Sequence, residues 1–231
     1  MATQVLTRWL AIAATVAIAS AAPAQLRASR LELPAGLDVT QLTGQTRVNG
    51  LAIKIMMLSA SATPDEACAR IAADWVATPG AAARSCRRMG PWILISRFEG
   101  WRLRAVQLRG TGTGTAGYYS ELDLTAQATR LPVPRLPMPT GARLVNVVES
   151  VDGRSDMRQF TFHFPLPPQE LARRLWRAAS QRGWKSAPAA ATSRTLLDLE
   201  RDGVDVRAVI EGERGGSSLV LLETCALACR P

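Results

Sequence analysis

Three stretches of the chain recur at nearly constant spacing, and that regularity limits its possible folds more than any other feature. Leu33-Pro34-Ala35-Gly36 returns as Met138-Pro139-Thr140-Gly141, and Pro64-Asp65-Glu66-Ala67 returns as Pro168-Gln169-Glu170-Leu171. The run from Glu99-Gly100 to Ala105-Val106 returns as Asp202-Gly203 to Ala208-Val209. The offsets are 105, 104 and 103, drifting one way, which is the mark of a duplicated unit. Between the copies, Leu131 to Pro139 carries four prolines and reads as an extended spacer rather than a recognition peptide. The expected organisation is a leader over 1–24, a first repeat over 33–125, a Pro-rich linker over 126–137, a second repeat over 138–224, and a Cys-containing tail over 225–231.

Each copy predicts the same order of elements. In the second, 143–149 and 159–164 alternate like strands about an Asp152-Gly153 turn. Leu171, Leu175, Ala178 and Ala179 line one face of a helix that stops at Gly183. Strands over 195–200 and 204–210 then join at Asp202-Gly203, and 218–223 gives the last strand. In the first copy Thr63-Pro64-Asp65-Glu66 has the composition of a capping box with proline in the first turn. The fold class expected is α+β: two tandem homologous β-β-α-β-β-β domains, each an antiparallel sheet with one helix on one face.

Period-two alternation assigns faces. Val204, Val206, Ala208 and Ile210 point inward, and aligning Gly100 with Gly203 puts Trp101, Leu103 and Ala105 inward too. The outer face of the first copy would then show Ile93, Ile95, Arg102, Arg104, Val106 and Leu108. An exposed aliphatic surface beside two arginines reads as an interaction site for an envelope protein or a second copy.

The leader runs from one positive charge at Arg8 through the apolar stretch Trp9–Ile18 to Ala22-Pro23-Ala24, an A-x-A cleavage pattern before Gln25, with Ala22 as the other possible site. The stretch is shorter than the ~20 residues of a spanning helix, so no transmembrane segment is expected after cleavage. The localisation that follows is periplasmic or secreted. In that setting the four cysteines predict disulfides: Cys68 with Cys86, joining helix to following loop, and Cys225 with Cys229 in a small ring. Their spacings fit zinc frameworks and redox C-x-x-C motifs poorly. The chain carries a formal charge of +9, almost all from arginine, but acids are interspersed and nucleic acid is not an expected partner.

The catalytic inventory is thin. Gly112, Gly114 and Gly117 match a dinucleotide pattern as text, but a strand rather than a helix follows, so a hairpin loop is expected. His163 is the only histidine and alternates outward between Phe162 and Phe164, so every histidine-based triad hangs on that one residue and H-E-x-x-H metal sites are excluded. Arg173, Arg174, Arg177 and Arg182 read as the wet side of a helix. No catalytic residue, cofactor or metal is expected. The function that remains is a non-catalytic binding or accessory protein of the cell envelope. The alternative is a carboxylate-based hydrolase of envelope polysaccharide drawing on Glu99, Glu121, Asp198, Glu200 or Asp202. Export has a direct readout: N-terminal sequencing of the exported protein should begin at Gln25, and recovery of Met1 would refute the leader.

Overall fold

The computed structural model describes residues 36–42, 44–76, 82–83, 85–151, 155–186 and 196–226. The leader over 1–24, the Asp152-Gly153 turn and Cys229 lie outside them. Antiparallel sheet dominates the described residues, with 57% strand against 16% helix and two helices. The α+β expectation of two tandem β-β-α-β-β-β domains is therefore corrected. Fourteen strands form among the described residues. The pairing also departs from a tandem order, because 44–51 belong to a compact unit with the described residues of 128–226, while the described residues of 36–42 and 52–127 make the other. The sequence pattern missed this because Gln45–Val48 is four mostly polar residues with no apolar period to announce a strand.

In the first unit, β3 (Leu51–Ala60) lies between β1 (Asp38–Gln41) and β8 (Gly114–Asp123). The sheet continues through β7 (Arg102–Thr111) to β6 (Trp92–Glu99), whose far edge carries the short β4 (Ala82–Ala83) and β5 (Arg87–Met89). Helix α1 (Pro64–Val76) starts at the capping box that the sequence announces. The Glu66 amide donates to Thr63 Oγ1 at 3.3 Å, and the Thr63 amide donates to Glu66 Oε2 at 2.9 Å. Ala67, Cys68, Ile71 and Trp75 then share one face and bury it against the sheet. The Cys68–Cys86 disulfide joins that helix to the segment before β5, as expected from the sequence.

In the second unit the strand order is β11 (Lys185–Ser186), β12 (Leu196–Arg201), β13 (Val204–Glu213), β14 (Gly216–Ala226), β10 (Ser155–Phe164), β9 (Arg143–Val151) and β2 (Gln45–Val48). Helix α2 (Pro168–Gln181) buries Leu171, Leu175 and Ala179. They meet Phe160, Phe162 and Phe164 of β10 and Val204, Val206, Ala208 and Ile210 of β13.

The interaction surface expected on the first unit is corrected by the hairpin that joins β6 to β7. Glu99 pairs with Arg102, so Gly100 and Trp101 are the two turn residues, with glycine first at φ 56°. The hairpin of the second unit pairs Arg201 with Val204 and turns on Asp202 and Gly203, both at positive φ, with glycine second. Glycine first suits a II′-like turn and two positive φ values suit type I′. Aligning the two glycines therefore slips the register by one residue, and a one-residue slip moves every side chain to the other face. Ile93, Ile95, Val106 and Leu108 consequently lie in the core against α1, with Met56, Leu58 and Tyr119. Leu103 and Ala105 occupy the opposite face of the same strands, outside that cluster.

This placement makes Val106→Ser and Leu108→Ser core substitutions that leave buried space and an unmatched hydroxyl. Each should cost about 2–4 kcal/mol in urea unfolding. A double variant with the wild-type midpoint would return both residues to the surface.

Candidate functional site

Helix α1 covers only part of the first sheet. Its start sits at the β7–β8 turn end, where Thr115 Oγ1 donates to the Ala62 carbonyl at 2.6 Å. By its last turn the Trp75 ring lies under the Arg97 guanidinium, 5.0 Å from centroid to Cζ. Up to that point the helix-side positions of the strands are apolar. Beyond it they turn charged, because strand register aligns Lys54, Glu121, Arg104 and Arg97 in one cross-strand row. Asp123, Arg102 and Glu99 form the next row.

Arg104 organises these rows. Its Nη1 reaches Glu99 Oε2 at 2.8 Å and its Nε donates to Glu121 Oε2 at 3.0 Å. The Tyr119 hydroxyl donates to the same Glu121 oxygen at 2.8 Å. Arg97, only 1% exposed, adds a longer 3.5 Å contact to Glu99 Oε2. Burial, then the hydrogen bond to Glu121, pushes the Tyr119 phenol well above its usual range, so it remains a donor. Burial works against the charge on Arg104, but Tyr119 and the two glutamates outweigh it and hold the guanidinium above its ordinary value.

The tip of this end is apolar and open. Trp101 is 71% exposed on the β6–β7 turn, and its carbonyl accepts the Leu124 amide at 2.9 Å. Leu124 is itself 41% exposed. Arg102 is exposed beside them and pairs in register with Asp123. Asp123 Oδ1 accepts from the Thr125 hydroxyl at 2.7 Å and the Thr125 amide at 2.9 Å, which lowers its pKa.

Of the six residues expected at an interaction site, the structure brings only Arg102 and Arg104 to this open end. Trp101, expected inward, is its most exposed aromatic; the signal that locates it is glycine in the first of the two turn positions. Of the five carboxylates weighed for hydrolysis, Glu99 and Glu121 meet here. Both pair with the Arg104 guanidinium, and Glu121 also accepts the hydrogen bond of the Tyr119 hydroxyl. Asp198 pairs with Arg207 at 2.7 Å and Asp202 with Arg201 at 3.0 Å, both on the second unit, while Glu200 is exposed on β12. His163 sits half-buried on β10 opposite Ser218. Arg173 and Arg174 pair with Glu170 on the exposed side of α2. Cys225 is disulfide-bonded. Among the described residues no group of three or more His, Cys, Asp or Glu is placed to hold a metal ion. Gly112 and Thr113 form the β7–β8 turn, and Gly114 and Gly117 lie within β8.

The corresponding end of the second unit closes differently. Leu199 and Val206 are buried there, and their row continues through Glu223, 3% exposed, to Arg158 and Glu149. Its Oε1 accepts the Arg135 amide at 2.8 Å, while Leu136 enters the core beside Val147. Arg158 is its cross-strand neighbour on β10. No family model, curated protein or solved structure matches this chain.

Burial raises the pKa of Glu223 against the opposing pull of the Arg135 and Leu136 amides and the Arg135 and Arg158 charges. A folded-state pKa above the unfolded value means that protonation favours the native state. The stabilisation is present at low pH and fades as pH rises through the folded value. Chemical unfolding should therefore show greater stability contributed by this group at pH 5 than at pH 8. Glu223→Gln, which keeps an acceptor for both amides, should flatten that part of the profile. An unchanged slope in the variant would show that another group sets it.

Proposed function

We propose that the protein is an exported, non-catalytic binding protein of the cell envelope, periplasmic or secreted, that contacts its ligand through the Trp101 end of the first unit. The observation that carries this reading is Trp101 itself, a large aromatic held out of the core on a short clamped turn. Tryptophan and arginine are the side chains that most often anchor interfaces, and Arg102 is its chain neighbour. The ion pairs of Arg104 with Glu99 and Glu121 lie behind the turn and give the tip a firm base.

The A-x-A leader and the Cys68–Cys86 bond support export, because disulfides persist in oxidising compartments. Among the described residues, no helix is long and apolar enough to cross a membrane. The full chain expressed with its leader in a bacterial host should fractionate outside the cytoplasm, with Cys68 and Cys86 blocked to alkylation until reduced. Cytoplasmic recovery with free thiols would refute export. Hydrolysis of envelope polysaccharide that Glu121→Gln abolishes would refute the non-catalytic role.

A further inference from the structure

We infer that the β6–β7 turn of the first unit is a glycan subsite, with the Trp101 indole stacking on the apolar face of a sugar ring. The inference rests on the binding-protein reading and names the chemical class of its ligand. An indole is among the largest apolar groups a chain can bury, so one kept 71% exposed forgoes substantial stabilisation. It is not a loosely tethered group. Glu99 and Arg102 pair on either side of the turn, and the Leu124 amide clamps the Trp101 carbonyl to the end of β8.

The polar groups around it decide the ligand. Arg102 offers donors, while the Asp123 carboxylate, whose pKa the Thr125 hydrogen bonds lower, offers acceptors. A sugar ring presents one face of C–H groups and a rim of hydroxyls, each able to donate and accept. A flat aromatic followed in the chain by one guanidinium, with one carboxylate opposite that residue in register, matches both parts. An anionic bilayer is held by clusters of several exposed Lys or Arg, and the tip offers one, Arg102, opposite Asp123 in register. A protein partner is also disfavoured: a stable interface buries upward of about 1,000 Å², and the apolar part here is one indole and one leucine. One or two sugar rings need no more than that.

The test uses the mature protein, with retention on peptidoglycan sacculi, insoluble chitin and cellulose, and titration with chitohexaose followed by indole fluorescence. Wild type should be retained on at least one of these glycans. Trp101→Ala should reduce retention tenfold or more, Trp101→Phe should recover part of it, and Leu124→Ala should have a smaller effect. All three should unfold at the wild-type temperature, because both side chains lie outside the core. The glycan assignment is overturned if wild type binds none of the polymers, or if Trp101→Ala binds as well as wild type. It is equally overturned if the Trp101-dependent binding is to vesicles of neutral and anionic phospholipid in a 3:1 ratio. Any of those results leaves a binding role for the protein intact. Release of new reducing ends from a bound polymer would instead refute the non-catalytic reading while leaving Trp101 as the stacking platform.

Discussion

The backbone conformation at Gly100 governs the first unit. A glycine at positive φ in the first turn position makes Trp101 the second turn residue and Arg102 the first paired one. From there strand parity leaves no choice. Ile93, Ile95, Arg97 and Glu99 on β6, with Arg102, Arg104, Val106 and Leu108 on β7, all occupy the helix side. The apolar members meet α1, the charged members fall past its last turn, and the tryptophan is left at the tip. Arg104 can bridge Glu99 and Glu121 only in this register.

The two ends that the helices leave uncovered show different solutions to one electrostatic problem. In the first unit charged side chains answer one another across strands, with Glu99 and Glu121 both meeting Arg104 at hydrogen-bonding distance. In the second unit a single buried carboxylate is answered by main-chain amides from the Pro-rich stretch, while Leu136 fills the apolar space beside it. The first arrangement holds its charge by pairing. The second holds its carboxylate against a cost of desolvation, and that cost raises the Glu223 pKa.

What the sequence made legible follows from where its patterns were one-sided. The Thr63–Glu66 capping box and the alternating Phe160, Phe162 and Phe164 each allow one placement and are found so, and of the Leu171, Leu175, Ala178 and Ala179 stripe all but the half-buried Ala178 lie in the core. The Cys68–Cys86 pairing is found as well. The strand over 102–111 was ambiguous because Leu103, Ala105, Val106 and Leu108 supply apolar residues to both faces, and period two cannot rank two apolar faces. Gly100 and Gly203 occupy different turn positions, so their alignment selects the opposite face. Trp101 and the charged rows were hidden behind that single step, since Lys54, Glu121, Arg104 and Arg97 become neighbours only once the register is known. The partner of Gln45–Val48 was beyond reach for another reason: its pairing with Val148–Val151 spans about a hundred residues and leaves no local trace.

That long-range pairing has a bearing on where the chain can be cut. Residues 128–231 look separable on paper, yet their sheet borrows its last strand from the other half of the sequence. Severed at the prolines, β9 would present bare main-chain donors and acceptors along Val148–Val151, and the Val147 amide would lose the Asn49 side-chain oxygen it meets at 2.9 Å. An uncovered edge of that kind is a template for intermolecular strand addition. A soluble fragment of the C-terminal half therefore has to carry 44–51 with it, grafted or supplied in trans, and a protease that nicks the prolines of the intact protein would leave that strand hydrogen-bonded in place.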